Sequence, residues 1–319
     1  MVRVRVGLVL AILLTGSAIL YSQGSGGQSA PAQSSAQSAQ ATRLEIHVVQ
    51  VPLLVTVTDS KGQLISTLGK ESFRLYEGSR LQRIDSFSRD SNLPLSIALL
   101  VDQSSSAIDQ IEFERAAAME FFNNTVKRGK DRAMVIGFAS DAQVLADFTD
   151  DPAKFSAGLE KISAGGGTAV FDTLFLAAQE RLSREDGDRR KLIILISDGD
   201  DTASRYSLAH ALTTVQKNDV IIYAISINRT PNAKSADRDR GDKAIKQMVD
   251  ETGGRAYFPT KLSDLSTEFK KIEAELRSQY ALSYTPVNPF DGTYRKLRVE
   301  MVDRKHKART RAGYIASKS

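Results

Sequence analysis

The sequence predicts an α/β protein in which a doubly wound, mostly parallel sheet with flanking helices is inserted into a smaller antiparallel β domain formed by both flanks. Three observations lead there. Two short runs, Leu95–Val101 and Leu192–Ile196, are apolar almost throughout instead of alternating, as strands covered on both faces are. Segments with helical spacing alternate with these and further apolar runs, the order of βα units. Outside this region the pattern changes to alternation, which marks sheets with one wet face.

Taken in order, Met1-Val-Arg3-Val-Arg5 and the apolar Val6 to Leu20 have the form of a secretory signal peptide over residues 1–22. Leu20 fits the usual small-x-small cut poorly, so an uncleaved N-terminal anchor is the other reading. Both place the remainder outside the cytoplasm: periplasmic, secreted or tethered to the membrane. Residues 23–42 are Gly, Ser, Gln and Ala with almost nothing large and apolar, the composition of a disordered linker. Residues 43–93 read as the first segment of the β domain, with strands around Leu54–Thr58, Phe73–Glu77 and Gln82–Phe87.

Residues 94–277 read as the doubly wound domain. After its first strand, Ile108, Ile111, Phe113, Ala117, Phe121 and Val126 describe an amphipathic helix. Strands at Ala133–Phe138 and Ala142–Leu145 follow, then helices at Pro152–Ile162 and Val170–Leu182, a strand at Leu192–Ile196, a helix at Ser207–Lys217 and a strand at Val220–Ile225. Thr230–Asp242 reads as a polar rim loop before a helix at Ala244–Thr252. A closing helix, Leu262–Arg277, carries Leu265, Phe269, Ile272 and Leu276 on one face. Residues 278–319 return to alternation and read as the second segment of the β domain.

Composition narrows the function. The 319 residues carry 43 basic and 38 acidic side chains, a net charge of +5, and the basic residues are interspersed with acids, so no nucleic-acid surface is expected. With 0 Cys the chain has no disulfide, thiolate nucleophile or lipidated cysteine. The only histidines, His47, His210 and His306, lie outside the candidate loops, and no Gly-x-Ser-x-Gly elbow follows a strand, which leaves a hydrolase weakly supported. Gly165-Gly-Gly-Thr168 lacks the Gly-Lys-Ser/Thr ending of a phosphate-binding loop.

The candidate site begins where the first strand ends, at Asp102, Ser104 and Ser106. Ligands of open α/β sheets gather outside the carboxyl ends of the strands. One carboxylate and two hydroxyls there offer hard oxygen, which suits Mg²⁺. Asp and Ser are also preferred at helix starts, so capping is the plainer reading of this loop alone. Two further loops match the first: Thr168 opens a helix after three glycines, and Asp198 ends the strand at Leu192–Ile196. Asp200 and Asp201 read as solvated loop acids.

Asp-x-Ser-x-Ser after an apolar strand, with Thr168 and Asp198 on later loops, resembles the metal-ion-dependent adhesion site (MIDAS) of the von Willebrand factor type A (VWFA) family, the fold also inserted into integrins. The resemblance covers about residues 95 to 275, with Ser105 where the family often has Gly. It implies a VWFA, Rossmann-like fold and a site for Mg²⁺ (or Mn²⁺) at Asp102, Ser104, Ser106, Thr168 and Asp198. In the family the hydroxyls contact the ion, the acids act partly through water, and a partner's Asp or Glu carboxylate fills the open position. The flanks resemble those of bacterial secreted or single-pass proteins built on this domain. The expectation is an exported adhesion or complex-assembly module, not an enzyme, that binds an unknown protein ligand. A structural envelope protein in which the metal only stabilises the loops is the alternative, and a hydrolase the least supported.

Overall fold

The computed structural model describes residues 2–8, 44–89, 93–104, 111–163, 165–185, 189–227, 235–287 and 291–316. The expected linker, most of the N-terminal apolar run and Ser106 lie outside these. At the start, β1 (Val2–Leu8) pairs antiparallel with the first half of β2 (Leu44–Thr58), with Val2 opposite Gln50 and Leu8 opposite Leu44. Three short strands follow: β3 (Phe73–Glu77), β4 (Arg80–Gln82) and β5 (Ser86–Ser88).

The central domain starts with β6 (Leu95–Asp102), whose residues are all buried. It continues through α1 (Ile111–Thr125), β7 (Arg132–Phe138), β8 (Ala142–Thr149), α2 (Pro152–Leu159) and α3 (Val170–Phe175). Then come β9 (Arg190–Ser197), α4 (Leu208–Lys217), β10 (Val220–Ser226), α5 (Ser235–Thr252), β11 (Ala256–Tyr257) and α6 (Leu265–Ser278). The strands form a 6-stranded sheet in the order β11-β10-β9-β6-β7-β8, parallel except for the β7–β8 pair at the edge. Because successive strand residues face opposite sides, β6 feeds two cores. Leu95, Ile97, Leu99 and Val101 pack with residues of α1, α2 and α6, while Ala98 and Leu100 pack with residues of α3, α4 and α5. Each such side chain contributes about 1.5–3 kcal/mol on burial, and two covered faces explain why the run does not alternate.

Helix starts follow their sequence signals. Asp151 accepts from Ala153 N–H (3.0 Å) with Pro152 at the first helical position, and Ser207 accepts from His210 N–H (3.3 Å). The polar segment 230–242 departs from expectation, since α5 already begins at Ser235. Two of its charges have fixed partners that the sequence conceals: Arg240 makes a two-pronged ion pair with Asp200 (2.6 and 2.9 Å), and Asp242 accepts from the Ser226 hydroxyl (3.0 Å).

After α6 the chain adds β12 (Tyr280–Tyr284), β13 (Tyr294–Met301), β14 (Lys307–Arg309) and β15 (Gly313–Ile315). These pair with strands of the first flank: β12 and β14 with β2, β12 with β5, and β13 with β3. One core joins Val51, Leu53, Val55, Phe73 and Leu75 to Tyr280, Leu282, Tyr284, Leu297 and Val299. The fold is thus a mostly parallel sheet with flanking helices plus separate antiparallel sheets built from both flanks.

A buried polar cluster joins the two domains at the end of α6. Glu275, 1% exposed, pairs with Arg309 of β14 and accepts from Tyr223 Oη (2.7 Å) and Thr56 Oγ1 (3.2 Å). Arg190 donates to the Leu276 carbonyl (2.9 Å) and to Gln279, and burial draws its pKa down to about 10. Cavities of about 580 and 710 Å³ flank this junction, and neither is lined by Asp102, Ser104, Thr168 or Asp198.

Candidate metal centre

β6 delivers Asp102 to the carboxyl end of the sheet, where it is 0% exposed. Its Oδ1 accepts from Ser104 N–H (2.9 Å), a turn that brings Ser104 back over the strand end, and its Oδ2 accepts from Ser197 Oγ (2.6 Å). Ser197 Oγ itself accepts from Gly199 N–H (3.0 Å). Parallel pairing sets Val101 opposite Ile196, so the two strands end together and the third loop rises beside the first.

The second loop is tied to both. Gly165 N–H donates to the Gln103 carbonyl (2.7 Å), and the Thr168 carbonyl accepts from Thr202 N–H (2.9 Å) and Ala203 N–H (3.1 Å). Thr168 N–H donates to Thr202 Oγ1 (3.0 Å), and Thr168 is 5% exposed. Gly165 and Gly166 have φ of +150° and +92°, a path few other residues take. Asp198 holds the next turn by accepting from Asp200 N–H (3.0 Å). A Cβ on Gly241 of α5 would lie 2.2 Å from the Asp198 carbonyl oxygen, so only glycine lets that helix approach the third loop.

The structure therefore brings Asp102, Ser104, Thr168 and Asp198 to three cross-bonded loops at one end of the sheet, with Ser106 outside the described residues. Asp200 and Asp201 are otherwise engaged. The first is paired with Arg240, and the second accepts from Phe171 N–H (3.1 Å) and Ser204 Oγ (2.5 Å), capping α3.

The electrostatics at the strand ends are set by burial of acids. Burial pushes Asp102 up to about 6; the Ser197 hydrogen bond opposes the shift and the charge of Asp198 adds to it. Sequence reasoning missed two groups here. One is Ser197, which orients Asp102. The other is Glu114 on α1, 0% exposed, with both carboxylate oxygens unpartnered among the described residues. Burial, then the charge of Asp102, pushes Glu114 up to about 8. The sequence had placed Phe113 on the buried face of this helix. In the structure Phe113 is 52% exposed and Glu114 is turned inward.

The donors suit a small hard cation. They are carboxylate and hydroxyl oxygens, and the buried Glu114 nearby has no hydrogen-bond partner among the described residues. No group of three or more His, Cys, Asp or Glu among the described residues could hold a metal, so Ser and Thr hydroxyls have to supply some of any ligand set.

A mostly parallel, helix-flanked sheet with carboxylate and hydroxyl side chains gathered at its strand ends defines a class of α/β domain. Within it the chain has a specific place: residues 97–200 match the von Willebrand factor type A domain family, and the protein carries a domain of that type. Among solved structures, proximal thread matrix protein 1 from the mussel byssus, with a zinc-occupied MIDAS motif, is 19% identical with a TM-score of 0.51, over 63% of this chain and 50% of that one. The chain thus spans about half the length of the mussel protein. An aerotolerance-related membrane protein from Bacteroides fragilis is 18% identical with a TM-score of 0.44, over 57% of this chain and 98% of that one. A von Willebrand factor type A protein from Catenulispora acidiphila is 13% identical with a TM-score of 0.47, over 70% and 65%. No curated protein matches the chain in sequence.

Proposed function

We propose that this is an exported protein-binding module, of adhesion or complex-assembly type, that captures a carboxylate of a partner protein through Mg²⁺ or Mn²⁺. The observation that carries it is the convergence of Asp102, Ser104, Thr168 and Asp198 at the carboxyl end of the parallel sheet. Ser104, Ser106 and Thr168 would hold the ion by their hydroxyls, and Asp102 and Asp198 would complete its surroundings. A bound divalent cation supplies an electrophilic anchor for an incoming Asp or Glu carboxylate. The chain's own role is to keep the donors together, and its hydrogen bonds already do so: Ser197 to Asp102, Gly165 to Gln103, and Thr202 to Thr168. That argues against an ion serving only to staple the loops, because the staples are protein atoms.

No histidine lies in the three candidate loops, and Asp102 and Asp201 are held in positioning hydrogen bonds. Export rests on the basic and apolar N-terminal sequence; no helix among the described residues is long and apolar enough to cross a membrane. Calorimetric titration with Mn²⁺ and Mg²⁺ tests the reading. One saturable site per chain is expected, lost in Asp102→Ala and Thr168→Ala, and it should raise the melting temperature because only the native state offers it. An absence of saturable binding, or unchanged binding by Asp102→Ala, refutes the assignment.

A further inference from the structure

Helix α1 leaves the Asp102 loop with two adjacent side chains in unexpected places. Phe113 is 52% exposed while Glu114 is 0% exposed. Exposing a phenyl ring and burying a carboxylate both work against folding, yet Glu114 shares its face with the buried Ala117, Ala118, Phe121 and Phe122, which fix the helix in this orientation. An unpaired buried carboxyl is costly to ionise, so burial holds it in its protonated form until a cation compensates the charge. Sites that break local rules in this way are where function is to be sought.

Glu114 has no compensation of the ordinary kind. Neither oxygen has a hydrogen-bond partner among the described residues, and no Arg, Lys or His there forms an ion pair with it. The one charge that acts on it is a like charge, that of Asp102. Two acids within electrostatic reach in an apolar interior cannot both be ionised unless a cation lies between or beside them; without one, Glu114 keeps its proton. Asp102, by contrast, has both oxygens occupied, by Ser104 N–H and Ser197 Oγ. Glu114 is thus the acid at this end of the sheet whose bonding capacity is wholly unused.

We infer that Glu114 is a third carboxylate of the cation centre, a positioning residue that stands behind Asp102 and supplies negative charge to the bound ion. The inference rests on the cation reading above and deepens it. Glu114 does not form, with the other acids, a group able to hold a metal directly, so it acts through Asp102 or through an ion-bound water. Outer groups of this kind typically change metal affinity about 10–100-fold. The arrangement also explains why the acid is retained. Its cost falls on the empty protein and is offset when the ion arrives.

The test compares the full chain with Glu114→Gln and Glu114→Met, reading two quantities on each. The first is the melting temperature in chelator; the second is the Mn²⁺ dissociation constant by calorimetry. The expected result is opposite movement: both variants melt higher than the parent without metal, and both bind Mn²⁺ about tenfold or more weakly. Using two variants guards against one that misfolds, and a native circular dichroism spectrum qualifies each. A folded variant that binds Mn²⁺ as tightly as the parent overturns the inference while leaving the cation site standing. A parent that binds no Mn²⁺ overturns both. Variants that melt lower in chelator and keep parental affinity would make Glu114 a packing residue and also refute the proposal.

Discussion

Single carboxylates govern the pH response of the metal-free protein. Glu114 is pushed from 4.5 up to about 8 and Asp102 from 3.8 up to about 6, in both cases chiefly by burial. Each folded pKa lies above the unfolded value, so between about pH 5 and pH 8, above the range where carboxylates held low such as Asp172 and Asp291 titrate, the native state holds more protons than the unfolded one. Stability must therefore fall as pH rises through that window. In chelator the melting temperature should drop between pH 5 and pH 8, and Glu114→Gln should remove most of the drop. A melting temperature that is flat or rising in the parent would contradict the burial of these acids. Cation affinity should move the other way, tightening toward pH 8 as the donors ionise.

The same residues mark how far the sequence can be read. The placement of Asp102, Ser104, Thr168 and Asp198 at one end of the sheet was legible because each follows or opens an apolar element whose end the fold class fixes. Glu114 was not, since a hydrophobic periodicity has no means of assigning an acid to a buried face. It settled on Phe113, one residue and about 100° away. Ser197 was hidden for a different reason, because its role depends on β6 and β9 being neighbours, which only the sheet order reveals.

At the scale of elements, α6 is held at its last turn by groups from across the chain. Its apolar stripe of Leu265, Phe269, Ile272 and Leu276 was legible and is buried as expected. Glu275, one residue before the end of that stripe, was not, because its partners Arg309, Tyr223 and Thr56 come from β14, β10 and β2. Removing one member of a buried ion pair strands the other, at a typical cost of about 3–5 kcal/mol. Arg309→Met should lower the free energy of urea unfolding by about that amount. Glu275→Gln combined with it should recover some of the loss, the stranded charge being gone. Cation binding should stay at parental strength, because Glu275 and Asp102 belong to different ends of the sheet. A change below about 1 kcal/mol in Arg309→Met would mean that Tyr223 and Thr56 alone satisfy Glu275.

For the whole molecule the decisive feature is that strands distant in sequence share sheets. β2 relies on β12 and β14, and β3 on β13, so among the described strands the first flank by itself retains β1 beside β2, the short β3–β4 pair and an isolated Thr58–Leu64 bridge. Two-stranded sheets are marginal in water, and much of the core around Val51, Leu53 and Phe73 comes from Tyr280, Leu282, Tyr284 and Leu297. The central domain is differently placed: its sheet and both its cores are built between Leu95 and Leu276. Deleting residues 280–319 should therefore unravel residues 44–89 while the parallel sheet persists. Limited proteolysis of the shortened chain should trim it to a resistant fragment of about residues 93–279 that still binds Mn²⁺, whereas the full chain keeps its first flank. Glu275→Gln in the shortened chain removes the charge that losing Arg309 would strand, so that any failure of the sheet is not owed to that acid. A first flank that resists protease without residues 280–319 would show that it folds alone, and the two flanks would then be separate units instead of one β domain interrupted by the parallel-sheet domain.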